Sequence, residues 1–142
     1  TFNYGLILGW VCIENQLNII PIIFYFGAIF WTLAFDTIYG FQDIKDDEII
    51  GIKSTSIKFK KNPTLFLLLC YSVFIIALIT IGILMNFNKT FYFFMTIPVL
   101  HLFFYQIYKF NYKNSKNILK IFKSNNLLGA LVFINILIGK IF

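Results

Sequence analysis

Polar residues interrupt the apolar ones at widely spaced intervals along this chain. Apolar runs occupy roughly positions 1–13, 19–35, 64–85, 91–108 and 126–141, joined by polar stretches at 14–18, 36–63, 86–90 and 109–125. A bilayer crossing takes about 20 residues of helix, so the three middle runs predict full spans and the last a shorter one. The first run reads as the end of a helix that begins before Thr1. The pattern predicts an all-α, multi-pass transmembrane helix bundle of about four and a half spans, forming a single membrane domain over 1–142. Gly27 with Ala28, Gly82, Gly129 and Gly139 fall inside runs, as close helix packing in lipid favours.

Composition excludes a soluble enzyme. Of 142 residues, 59% are hydrophobic and only 13% charged, where soluble domains are nearer about 25% charged. The net charge of +6 comes from twelve Lys against six acids, with no Arg. A nucleic-acid partner is not expected, because phosphate recognition favours the guanidinium fork; the partner the lysines imply is the lipid bilayer. Lys45, Lys53, Lys58, Lys60 and Lys61 lie in one polar stretch, and Lys109, Lys113, Lys116, Lys120 and Lys123 in another. Only Lys89 and Lys140 fall on the alternate side. Cytoplasmic loops carry the Lys excess, which predicts that 36–63 and 109–125 face the cytoplasm.

Five of the six acids, Asp36, Asp43, Asp46, Asp47 and Glu48, fall within thirteen residues where the second run ends. On a continuous α-helix at about 100° per residue, Asp36, Tyr39, Asp43 and Asp47 share a face within roughly 80°, with Asp46 at its edge. Like charges so close repel by about 4 kcal/mol at an effective dielectric near 20. Two arrangements relieve that repulsion: the carboxylates point into bulk water, or they converge on a hard cation such as Mg²⁺. The following segment, Gly51-Ile52-Lys53-Ser54-Thr55-Ser56, lacks the upstream Gly of a phosphate-binding P-loop. It reads either as a loop with a capped helix start or as a place where Lys53 meets a diphosphate beside the acids.

The run from Asp36 to Asp47, of form DxxYxxxDxxDD, and the Gly51-Ile52-Lys53-Ser54-Thr55 that follows resemble the second aspartate-rich motif of the UbiA superfamily of intramembrane prenyltransferases. The likeness extends to Gly9-Trp10, Trp31, Phe122-Lys123-Ser124-Asn125-Asn126, Gly129 and Phe133. It implies a nine-helix bundle of which this chain supplies the C-terminal half. It also implies transfer of a polyprenyl chain from polyprenyl diphosphate to the aromatic ring of 4-hydroxybenzoate in ubiquinone synthesis, in a bacterial inner membrane. By the same resemblance Asp43 and Asp47 are the ligands of Mg²⁺, Asp36, Tyr39 and Lys53 are catalytic positions, and Asp46 joins Lys53 in substrate binding. The family's first motif, NDxxDxxxD, has no counterpart here, so the chain is expected to be incomplete and inactive alone. A dead remnant, a haem- or chlorophyll-type prenyltransferase and a cation transporter stay open as alternatives.

Three smaller expectations concern polar or reactive residues inside runs. Cys12 and Cys70 lack metal spacing and read as reduced and buried. His101 reads as an interhelical hydrogen-bonding group, and Asn125 and Asn126 as the cap of the last span.

Overall fold

The computed structural model describes residues 3–141. All of its regular structure is helical: α1 (Tyr4–Glu14), α2 (Ile19–Gly40), α3 (Ile44–Ile50), α4 (Thr55–Lys58), α5 (Pro63–Leu84), α6 (Lys89–Phe94), α7 (Thr96–Leu100), a π-helical segment (His101–Ile107), α8 (Ser115–Lys123) and α9 (Asn125–Ile141). Four helical stretches, Ile19–Gly40, Pro63–Leu84, Lys89–Ile107 and Ser115–Ile141, are long and apolar enough to cross a membrane. The short α1 supplies the half span. The protein is thus a multi-pass membrane bundle, as the apolar periodicity predicts.

Local chemistry sets the ends of the spans. Asn18 caps α2 by accepting from the Ile20 amide at 3.0 Å. Pro63 opens α5, where its missing N–H leaves no intrahelical bond unmade. At 22 residues each, α2 and α5 are about 33 Å long at 1.5 Å per residue. They approach closely at Gly27, where a Cβ would stand 2.5 Å from that of Ala77. Nearer the acidic end, Trp31 stacks on Phe74 with centroids 5.2 Å apart. The last span closes on the far end: Phe91 and Phe87 press against Gly139, and Asn88 donates to the Ile138 carbonyl at 3.3 Å.

The span Lys89–Ile107 is not a regular helix. It breaks at Met95, passes through Pro98 and widens to π geometry from His101. Freed backbone groups of this kind are tolerated in lipid when neighbouring helices cover them.

Two stretches expected as connections are partly helical. In 36–63 the first five residues extend α2, and α3 and α4 follow. In 109–125 a one-sided helix forms, with Ile118 and Ile121 buried and Lys116, Lys120 and Lys123 exposed. The two Lys-rich stretches meet at one end of the bundle. Gln42 donates to the Ser115 hydroxyl at 3.1 Å, and Phe41 packs its ring 5.6 Å from those of Phe110 and Tyr112. Cys70 is buried as expected, but Cys12 is exposed, because α1 buries none of its residues.

Candidate functional site

The acidic residues do not lie on one helix. α2 ends at Gly40, three non-helical residues intervene, and α3 begins at Ile44. The cause is local packing. The Ser56 hydroxyl sits where a side chain on Gly40 would go, so only glycine admits that approach. Phe41, 3% exposed, is drawn between Phe110 and Tyr112. The single carboxylate face built on continuous helical geometry is therefore replaced by two: Asp36 and Tyr39 on α2, and Asp43, Asp46 and Asp47 around the start of α3.

On α2, Asp36 is exposed, and the Tyr39 ring lies 4.9 Å from that of Phe122. Asp43 precedes α3; its carbonyl accepts from the Asp47 amide at 2.9 Å, while its carboxylate caps nothing. Asp46 and Asp47 occupy the first turn, where the helix dipole favours negative charge. Asp43 and Asp47 thus remain one turn apart. Among the described residues no three His, Cys, Asp or Glu side chains gather closely enough to hold a metal ion. An exposed Asp43 and a half-buried Asp47 one turn apart do suit Mg²⁺, which keeps several waters and shares its coordination with substrate phosphates.

The segment after Gly51 is held to α2 through its hydroxyls. Gly51 turns the chain with φ of 81°. Ser54 caps α4 by accepting from the Ile57 amide at 3.3 Å, Thr55 and Thr37 share a 2.6 Å hydroxyl contact, and Ser56 donates to the Thr37 carbonyl at 3.1 Å. The capped helix start is what the structure contains. Lys53 stays exposed, lining a shallow depression with Lys58 to which no carboxylate contributes. The ion pair present among the described residues joins Lys60 to Glu48, at 2.7 Å.

A cavity of about 290 Å³ opens beside α2, lined by Trp31, Thr32, Phe35, Phe122, Asn125 and Asn126 among others. Phe122 is shared between this wall and the Tyr39 ring, so the aromatic cavity and the α2 site residues adjoin. Behind it runs a buried polar chain that residue spacing does not reveal. Tyr71 donates to the Gln106 side-chain carbonyl. The Gln106 amide donates to Ser124 and Asn125, both at 3.1 Å. Asn125 also accepts from the Trp31 indole at 2.9 Å and donates to the Phe122 carbonyl at 3.1 Å. Asn125 is thus a junction between spans and not a cap. The available signal was a polar Gln inside an apolar run. His101 behaves otherwise than expected: it stacks on Tyr105 at 5.1 Å, and neither ring nitrogen finds a hydrogen-bond partner. Its ring partner, four residues on, belongs to the same π-helical segment.

These features define a multi-pass, all-helical membrane protein with carboxylates, hydroxyls and an aromatic cavity gathered at its Lys-rich end. The chain belongs to the UbiA prenyltransferase family, which it matches over residues 1–137. It is 36% identical over 135 residues to a 4-hydroxybenzoate octaprenyltransferase of Francisella tularensis subsp. novicida (strain U112), covering 94% of this chain and 46% of that relative. It is 32% identical to the mitochondrial 4-hydroxybenzoate polyprenyltransferase of Rattus norvegicus, covering 100% of this chain and 38% of that relative. The chain therefore spans less than half the length of these curated relatives. No solved structure matches it.

Proposed function

We propose that this chain forms part of an enzyme that transfers a polyprenyl group from polyprenyl diphosphate to the ring of 4-hydroxybenzoate, in ubiquinone synthesis at a bacterial inner membrane. The observation that carries this reading is the Asp43 and Asp47 pair, one turn apart at the start of α3, in a chain whose named relatives act on 4-hydroxybenzoate. These two carboxylates are the residues that would hold Mg²⁺, which when bound supplies positive charge to a diphosphate leaving group. Asp46 and Lys53 would flank that diphosphate at the membrane edge. In the transfer, the allylic C–O bond breaks and diphosphate leaves with the electron pair. The ring carbon ortho to the phenol then forms the new C–C bond and loses its proton. Asp36, exposed on α2 beside the aromatic cavity, is the carboxylate placed to accept that proton, and Tyr39 orients the acceptor. Trp31, Phe35 and Phe122 wall the cavity, keep water from an allylic cation and offer it their ring faces. The Lys-rich end, with loops 36–63 and 109–125, faces the cytoplasm.

The test is prenyl transfer by the intact protein in membranes, with Asp43→Asn and Asp47→Asn compared to wild type. Each exchange is expected to lower turnover roughly a hundredfold or more, given the several kcal/mol a catalytic cation contributes, without loss of folded protein. Normal turnover in both variants would overturn the assignment.

A further inference from the structure

Between α3 and the start of α8 lies a depression of about 520 Å³ that takes no part in the site above. Phe41, Ile44 and Ile118 give it an apolar floor, and Lys45, Lys60 and Lys113 stand around it. Glu48 pairs with Lys60 at 2.7 Å, so three ammonium groups face one carboxylate and the depression keeps a positive excess. Tyr112 forms part of its wall and also part of a second depression, of about 610 Å³, at the start of α5. The Lys113 ammonium lies 6.0 Å from the Tyr112 ring centroid, which keeps a cation at the junction of the two. In the second depression Leu65 and Leu68 are 57% and 41% exposed. Three residues apart, they continue one another down the α5 surface.

We propose that the two depressions form one binding site for an anionic diacyl phospholipid. Its phosphate sits among Lys45, Lys60 and Lys113, and its acyl chains run down α5 over Leu65 and Leu68. Lysine-lined pockets at the mouth of a helix bundle attract anionic headgroups, and a tyrosine such as Tyr112 settles at headgroup depth. A free phosphate would make no use of Leu65 and Leu68. The second depression, where Lys61, Asn62 and Thr64 give way to Leu65 and Leu68 along a membrane span, favours a lipid.

The site is tested by reconstituting the protein in bilayers of phosphatidylcholine mixed with phosphatidylglycerol, extracting it gently, and counting retained lipids by native mass spectrometry. Wild type is expected to keep phosphatidylglycerol in preference to phosphatidylcholine. The triple variant Lys45→Gln, Lys60→Gln, Lys113→Gln is expected to lose retention about tenfold, while Lys109→Gln, Lys116→Gln, Lys120→Gln, which removes the same charge from the same end, stays within about twofold. Equal losses in the two triple variants, or no preference between the lipids, overturn the proposal. Should the first triple variant fail to fold, Lys113→Glu alone decides, and undiminished retention counts against the site. Free glycerol phosphate is expected not to displace the lipid; displacement would show an anion site without lipid specificity and overturn the assignment.

Discussion

The buried polar chain from Tyr71 to Trp31 and the acidic end from Asp36 to Asp47 are both hydrophilic patches in an apolar protein, and they are built in opposite ways. In the first, Tyr71 and Gln106 are 0% exposed and Asn125 is 7% exposed, and their polar atoms find one another. In the second, Asp36, Asp43 and Asp46 are exposed, and the Asp43 carboxylate makes no capping bond. A satisfied buried network fixes how helices pack. Asp43 and Asp47, exposed and half-buried and one turn apart, contribute little to packing and leave their oxygens free for a cation. Substitutions in the two places should therefore separate stability from activity.

The largest effect is expected at the acidic end. Loss of Asp43 or Asp47 should remove roughly a hundredfold or more of turnover, equivalent to about 3 kcal/mol of barrier, while the unfolding midpoint moves little. A large loss of stability in these variants would erase the contrast. Next comes Gln106→Leu, which strands the Tyr71 hydroxyl and one bond of Asn125 in the bundle interior. About 1–3 kcal/mol of stability should be lost, read by unfolding in mixed detergent, whereas a neutral result would mean the chain of bonds is incidental. Gly27→Val tests packing without polar groups. With a Cβ already only 2.5 Å from Ala77, overpacking should cost about 1–3 kcal/mol, at the lower end of that range if the helices can part. Glu48→Gln should be smallest, because its exposed pair with Lys60 contributes at most about 1 kcal/mol; a larger shift in the melting profile would make that ion pair a structural element of the acidic end.

How much of this was legible in the sequence differs by region for physical reasons. Spans were readable because a helix in lipid must be apolar for its whole length, so the runs at 64–85 and 126–141 became α5 and α9 within a residue or two. The meeting of the Lys-rich stretches followed from their alternation along the chain. The break after Gly40 was hidden, since it depends on Ser56 and on Phe110 and Tyr112, which approach only in the folded state. The same holds for the polar chain: Trp31 and Asn125 are 94 positions apart, and Tyr71 and Gln106 are 35 apart. Helical periodicity places residues on a face, but it carries no information on which distant face they meet. The acidic motif was readable as a motif, while its division between α2 and α3 was not.

The bond from Tyr71 to Gln106 also has a consequence for biogenesis. Synthesis runs from the N-terminus at about 5–20 residues per second, so α5 reaches the membrane ahead of the stretch Lys89–Ile107 that carries Gln106. Until that stretch docks, the Tyr71 hydroxyl lacks its Gln106 partner in the bundle interior. Docking of Lys89–Ile107 is thus the step that gives the nascent bundle its first interior hydrogen bond between spans and readies Gln106 for Ser124 and Asn125.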